Sequence, residues 1–322
     1  MITVSIGFGG CKAGSHQEAS TTASTSDSSA DELYLYVSVL DNLEYFYDHR
    51  KGLELAQKYF GVKTEYISQQ GLDVSKQVEQ LEQAIARNPA GIMTFGSDDT
   101  LIPVINKAVA AGIPVVTVDS DVVNSNRTAY VGTGNYNAGY SGGEKLASLI
   151  NYKGKVAILT ILGQPNQVER TNGYKAALAK YPDIEIVQIA DTHNDEVYAA
   201  QVSTEILLKY PDLAGMASLE APGGIGIQTA LKETGRAGKV KVVAMDRTTQ
   251  VLEAIKDGII DATVVQQTQL MPFYALQIMW NLRHRPMEMS TDNLKAGVTG
   301  APYSVDTGVL IVDKDTYQYF VR

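Results

Sequence analysis

A single cysteine, Cys11, stands in the 322 residues. No disulfide can form within such a chain, and a thiol nucleophile is excluded because that cysteine lies in an N-terminal leader. Long apolar runs are missing as well. No segment approaches the roughly 20 apolar residues with which a helix spans a bilayer. Basic residues are in deficit, 27 Lys and Arg against 36 Asp and Glu, for a formal charge of −9. An acidic surface repels phosphates, so nucleic acid is not an expected partner. The four histidines, His16, His49, His193 and His284, have no metal-ligand spacing. There is no Gly-x-Ser-x-Gly and no Walker-type loop, and Gly132-Thr133-Gly134 lacks the third glycine of a dinucleotide loop. No cofactor or metal is expected. The remaining composition suits a globular protein, and the length suits two domains of about 150 residues each.

What is present is an alternation. From Leu33 onward, short apolar runs with strand character are followed by longer amphipathic runs with helical period. Strands are expected at 33–39, 63–67, 91–95 and 114–118, with helices at about 46–60, from Asp73, and at 99–111. Asp73 caps a helix whose apolar stripe is Val74, Val78, Leu81 and Ile85. The plan then restarts. Strands are expected at 155–160, 184–189, 214–219, 240–245 and 262–265. Helices are expected at 166–180, 195–208, after Gly223-Gly224, at 248–256 and at 271–282. Such repeats imply α/β lobes with parallel sheets covered on both faces. Because the two blocks share one plan, the expected architecture is two doubly wound parallel-sheet lobes.

In doubly wound sheets a ligand sits outside the carboxyl ends of the strands. The residues just after the strands include Asp41, Asn42, Tyr45 and Phe46; Phe95 to Asp98; Asp119, Ser120 and Asp121; Gln164 to Arg170; His193 and Asn194; Glu220; Asp246 and Arg247; and Gln266. Carboxylates, amides and arginine make bidentate bonds to neighbouring hydroxyls, and aromatic rings cover the C–H face of a pyranose. That is the chemistry of a sugar site. Each residue also has a plainer reading. Asp119 and Asp246 could cap turns, Arg170 could lie on a helix surface, Gln266 could bond a hinge, and Tyr45 and Phe46 could be core. Asp98 reads as an N-cap, Trp280 as core, and Gly223-Gly224-x-Gly226 as close backbone packing. Paired carboxylates could in principle hydrolyse a glycoside.

The chain resembles the type I periplasmic sugar-binding proteins, the group that includes the ribose-binding protein and is related to the LacI-type repressors. The resemblance runs from about Leu33 to the C-terminus. Its carriers are Leu40-Asp41-Asn42 with Tyr45-Phe46 and Gly52; Asp73 to Gln77 with Ala90-Gly91-Ile92; and, most diagnostic, Ala111-Gly112-Ile113-Pro114-Val115-Val116-Thr117-Val118-Asp119. Gly132 to Gly139, Glu169 to Tyr174, Ala244-Met245-Asp246 and Asp257-Gly258 through Gln266 complete it. The resemblance implies two lobes joined by a three-crossing hinge. Their extents would be 33–133 plus 267–298 and 134–266 plus 299–322, with crossings near Thr133, Gln266–Gln267 and Gly297–Gly300. Family ligand contacts fall on Tyr45, Phe46, Asp119, Arg170, Asp246 and Gln266, and Asp121, Asn194 and Glu220 complete the candidate set. Ser120 stands where relatives often carry arginine, and Phe95 where the ribose receptor has a polar residue. These departures argue against ribose.

The resemblance implies a monomeric extracytoplasmic receptor, without catalysis, that closes on a monosaccharide or polyol and presents it to a membrane permease of the ATP-binding-cassette type. Two other uses of the fold compete with it. One is a sensor that hands its closed state to a membrane histidine kinase, or an autoinducer receptor. The other is a cytoplasmic repressor core, which needs a helix-turn-helix that residues 1–32 do not offer. Residues 1–32 resemble instead the remnant of a lipoprotein signal with a polar tether. Small residues, Phe8-Gly9-Gly10, precede Cys11, and a Ser/Thr/Ala/Asp stretch follows it. Lipidation of Cys11, anchoring the protein to the outer face of the bacterial cytoplasmic membrane, is the resulting expectation.

Overall fold

Five-residue apolar runs between helices have one stable arrangement, a sheet buried on both faces, and the chain forms two of them. The structure is a computed structural model that describes residues 29–39, 44–71, 73–293 and 295–321. Cys11, Asp41 and Asn42 lie outside the described residues.

The first sheet holds β1 (Leu33–Val37), β2 (Lys63–Ile67), β3 (Gly91–Phe95), β4 (Val115–Val118), β5 (Ala129–Gly132) and β11 (Ser304–Asp306), in the order β11-β5-β4-β3-β1-β2. Its pairings are all parallel. On one face lie α1 (Phe46–Phe60) and α9 (Leu270–His284), whose Leu53, Ala56, Met271, Ala275 and Met279 pack on Tyr34, Tyr36, Met93 and Val116. On the other lie α2 (Val74–Ala86) and α3 (Ile102–Ala110), packed on Leu35, Val37 and Ile92. Asp73 caps α2 by accepting from the Lys76 amide, and Asp98 accepts from the Thr100 amide, as their positions suggested.

The second sheet repeats the plan with β6 (Gly154–Thr160), β7 (Ile184–Asp191), β8 (Leu213–Ser218), β9 (Lys241–Met245), β10 (Ala262–Gln266) and β12 (Val309–Asp313), in the order β12-β10-β9-β8-β6-β7. Only β12 runs antiparallel to its neighbour. Helices α6 (Glu196–Lys209), α7 (Ala221–Glu233) and α8 (Thr249–Lys256) cover one face, and α4 (Asn135–Leu149) and α5 (Pro165–Leu178) the other. The Gly223-Gly224 pair sits inside the first turn of α7. Close packing explains Gly226, where an added Cβ would come within 2.5 Å of the Ala199 Cβ.

The chain passes between the sheets three times: from β5 to α4, from β10 to α9, and from β11 to β12. The third passage departs from the expected one near Gly297–Gly300. Ser304, Val305 and Asp306 pair with Tyr130, Val131 and Gly132. The chain therefore stays with the first sheet through Asp306 and leaves it at Thr307–Gly308. Residues 299–306 belong with the first lobe. The short polar sequence of β11 carries no strand period, which is why pairing rather than pattern reveals it.

Candidate functional site

The carboxyl ends of the two sheets face each other, and the side chains there come together in a polar cluster. Asp119 follows β4 and Asp246 follows β9. Both have left-handed backbones (φ 70° and 66°), a conformation that Asp adopts more readily than most residues. Asp119 Oδ1 accepts from the Tyr45 hydroxyl at 3.0 Å. Asp246 Oδ1 accepts from Gln266 Nε2 at 2.9 Å, and Gln266 Oε1 in turn accepts from Arg170 Nη2 at 3.0 Å. Arg170, buried in α5, also donates Nε to Asn135 Oδ1 at 2.8 Å and Nη1 to the Leu219 carbonyl at 3.0 Å. Its guanidinium is thus fixed from three sides, by α4, by the end of β8 and by β10.

Burial governs the charges. It pushes the Asp119 carboxyl up to about 6, against the Tyr45 hydrogen bond and the Arg170 charge, while Asp246 adds to the push. Burial also raises Asp246, opposed by Arg170 and the Gln266 hydrogen bond. Glu220 is pushed up to about 7 for the same reason. Three carboxyls, Glu220 buried and Asp119 and Asp246 half-buried, therefore lie near one arginine, and groups that donate hydrogen bonds are what this cluster accepts.

The site residues expected from sequence divide into three groups. Tyr45, Asp119, Arg170, Asp246 and Gln266 converge. Phe46 lies beneath them, 3% exposed, edge-on to Tyr45 and Phe95. Glu220 is adjacent, but its carboxylate is engaged in structure: it caps α7 by accepting from the Gly223 amide (2.9 and 3.0 Å) and accepts from Thr192 Oγ1 at 2.9 Å. Asp121 is likewise occupied. Arg127 donates to both its oxygens and Thr117 Oγ1 to one of them. Asn194 does not join the cluster. It lies exposed after β7, the edge strand of its sheet, next to the equally exposed His193.

Three contributors escaped the sequence reading, and a fourth, Arg247, was read only as a strand-end residue. Asn135, at the start of α4, orients Arg170. Arg127 stacks on the Tyr303 ring at 4.5 Å and donates to the Tyr303 carbonyl, pinning the β11 segment to the first lobe. The last two clasp the lobes on the far side of the cluster. Arg247 Nη2 donates to Asp48 Oδ2 at 2.5 Å and Nη1 to the Phe320 carbonyl, while Thr249 Oγ1 donates to Glu44 Oε1 at 3.1 Å. Arg247 stood among the strand-end residues, but its partner Asp48 gave no local signal.

The interlobe space is uneven. Beside Tyr45, Asp246 and Gln266 it narrows to about 30 Å³. On the Asp119 side it widens to about 620 Å³ between Ser97, Asp98, Asp121 and Tyr130 of the first lobe and Gln164, Asn166 and Glu169 of the second, with Thr133 at the hinge. Among the described residues no group of His, Cys, Asp or Glu is arranged to hold a metal, and no helix is long and apolar enough to cross a membrane.

This architecture has close counterparts. A sugar-binding protein of a sugar ABC transporter from Bacillus halodurans superposes with a TM-score of 0.85 at 35% identity, covering 90% of this chain and 100% of that one. An arabinose-binding protein from Geobacillus stearothermophilus superposes with a TM-score of 0.85 at 36% identity, covering 91% and 100%. In sequence, the D-ribose/D-allose-binding protein of Pseudomonas aeruginosa is 26% identical over 275 residues, 82% of this chain and 85% of that protein. The family profile described as the periplasmic binding protein domain matches residues 34–284. Two mostly parallel sheets, three passages between them and a polar cluster at their facing ends thus agree with sequence and structural kinship, and the chain belongs to the periplasmic binding proteins, in their type I sugar-binding group.

Proposed function

We propose that this chain is an extracytoplasmic receptor that captures a monosaccharide or similar polyol between its lobes and delivers it to an ABC-type importer. One observation carries the reading. Asp119 with Tyr45 on one lobe faces Asp246, Gln266 and Arg170 on the other, so a small molecule rich in hydroxyls can bond both lobes at once. A ligand that bonds both lobes only when they approach shifts the open–closed equilibrium toward the closed form. Hydroxyls that donate to carboxylates also compensate the burial of those charges. Tyr45 supplies ring surface for the C–H face of a sugar, and Phe46 supports it from beneath. The named relatives are binding proteins for sugars, and the permease, not this chain, would hold the nucleotide chemistry. A lipid on Cys11 would keep the receptor at the membrane, and radiolabelled fatty-acid incorporation that fails in Cys11→Ala tests that part.

The test of the ligand reading is thermal unfolding against arabinose, D-ribose, D-allose, further hexoses, deoxyhexoses and inositols. Specific binding stabilises by about 4 kcal/mol at a thousandfold excess over the dissociation constant. A shift that Arg170→Ala and Asp246→Ala abolish supports the reading. A flat panel overturns the simple-sugar ligand.

A further inference from the structure

His49 is the one fully buried histidine among the described residues, and it lies directly beneath the cluster. Its ring is 0% exposed, packed among Tyr36, Tyr45 and Phe46 with ring centroids 5.9, 5.5 and 5.2 Å away. Nδ1 is 2.7 Å from the Tyr36 hydroxyl. Nε2 makes no hydrogen bond and points toward Asp119 Oδ2, 3.8 Å away. Burial holds the imidazole neutral, its pKa down to about 3, with the neighbouring Asp48 opposing. A neutral imidazole carries one N–H, and geometry assigns it. A bare Nε2 lone pair facing the half-buried Asp119 carboxylate would be repelled. With the proton on Nε2, Nδ1 accepts from the Tyr36 hydroxyl and the N–H faces Asp119.

We propose that His49 is a positioning residue for Asp119: its Nε2–H donates to Asp119 Oδ2 when the site is loaded, while Tyr45 donates to Oδ1. The 3.8 Å separation exceeds hydrogen-bond reach, and a small turn of the Asp119 carboxylate closes it. The two donors, both on the first turn of α1 or next to it, then fix the plane of the carboxylate. Its remaining lone pairs point at the cleft in one orientation, ready for two adjacent hydroxyls. An unheld carboxylate would sample several orientations, and ordering it would weaken binding. The sequence offers a matching logic: a histidine one turn after Tyr45 is on the same helical face. The proposal rests on the cleft being the sugar site.

The test separates two isosteres. In His49→Gln the side-chain amide nitrogen reaches the place of Nε2 and can donate to Asp119. In His49→Asn the amide reaches only the place of Nδ1, so the Tyr36 contact survives and the Asp119 contact does not. Binding of arabinose, D-ribose and D-allose is measured by calorimetry alongside thermal unfolding of the free proteins. The expected result is an affinity loss of about tenfold in His49→Asn and a loss of about threefold or less in His49→Gln, although His49→Gln gives up the Tyr36 contact and should be the less stable of the two. Equal losses in both variants overturn the proposal. A second readout needs no sugar. Ring-labelled ¹⁵N spectra of the free protein should show His49 as the Nε2–H tautomer, and its N–H resonance should move as pH passes through about 6, where Asp119 ionises, but not in Asp119→Asn. An Nδ1–H tautomer, or a resonance indifferent to Asp119, overturns the pairing. If none of the three sugars binds the parent protein, the ligand reading fails while these spectra still decide whether the His49 N–H faces Asp119.

Discussion

Asp119 and Asp246 hold the same position in their two sheets. Each follows the strand that neighbours the hinge strand, and each adopts a left-handed backbone. The Asp119 amide donates to Val131 O at 2.9 Å and its carbonyl accepts from the Tyr130 hydroxyl at 2.8 Å. The Asp246 amide donates to Val264 O at 2.8 Å and its carbonyl accepts from Thr263 Oγ1 at 2.6 Å. In each lobe, then, the hinge strand ties down the backbone of the aspartate and turns its carboxylate into the cleft. By the same register Thr133 in the first lobe stands where Gln266 stands in the second, and its buried hydroxyl has no hydrogen-bond partner.

Substituting asparagine tests this arrangement without disturbing the backbone, because Asn tolerates left-handed φ at least as well as Asp. Asp119→Asn and Asp246→Asn should each weaken sugar binding at least about tenfold, since a charge-assisted acceptor becomes a neutral one. The free proteins should unfold at the same temperature as the parent or above it, because a costly buried charge is gone. Asp246→Val, by contrast, should lose about 1–2 kcal/mol from backbone strain alone. Calorimetric titration and thermal scans separate the two effects. An Asp246→Asn protein that binds as tightly as its parent would remove Asp246 from the site.

The raised carboxyls also set a pH dependence. In the unfolded chain Asp119 and Glu220 titrate near 4, but in the fold they titrate near 6 and 7. The native state therefore binds more protons than the unfolded state between these values, and stability of the free protein falls as pH rises from about 4 to about 7. The loss should be of order 1–3 kcal/mol per carboxyl, complete for Asp119 by about pH 7 and for Glu220 by about pH 8. Sugar hydroxyls favour the ionised forms, so binding should release protons and tighten with pH across the same window. Titrations in buffers of different ionisation enthalpy at pH 6 measure the release directly. Proton uptake on binding would contradict the assignment.

Much of this site was legible because one rule locates it: in α/β lobes the ligand faces the carboxyl ends of the strands. That rule finds Asp119, Asp246 and Gln266 directly, and Arg170 through the helix that follows β6. It misleads at Asn194, which follows a strand that happens to be an edge strand, and edge position is a property of pairing. Glu220 also follows a strand, but local backbone claimed it first: three residues before the Gly223 amide, it is a helix cap. Helix α4 went unread because its glycines Gly139, Gly142 and Gly143 interrupt the apolar period. Contacts such as Arg247–Asp48 and Arg127–Tyr303 join residues 199 and 176 positions apart, and no window along the chain brings them together.

The Arg247–Asp48 contact bridges the lobes directly. Arg247→Ala should raise the population of open molecules, seen as a larger radius of gyration in solution scattering of the sugar-free protein. It should also cost binding about 1–3 kcal/mol, because closure then rests on the Thr249–Glu44 contact and the sugar. Arg247→Lys keeps the charge but cannot reach Asp48 and the Phe320 carbonyl together, so an intermediate effect is expected. No change in scattering or affinity would show that the bridge follows closure rather than favouring it.

The glycines that hid α4 are also what places Arg170. A Cβ on Gly139 would come within 1.9 Å of the Arg170 carbonyl, and one on Gly173 within 2.1 Å of the Tyr136 carbonyl. These are backbone atoms, so no side chain can turn aside to make room. Helices α4 and α5 can approach this closely only along a seam without side chains, and that approach sets Arg170 Nε against Asn135. Gly139→Ala should therefore push the helices apart, cost about 3 kcal/mol of stability or more, and reduce sugar affinity beyond what the stability loss explains. Gly142→Ala makes a useful comparison: its Cβ would meet the Tyr174 hydroxyl at 2.2 Å, a side-chain and not a backbone atom, one turn further from Arg170. It should destabilise less and leave affinity near that of the parent. If both variants lose affinity equally, the seam acts on the lobe as a whole and not through the seating of Arg170.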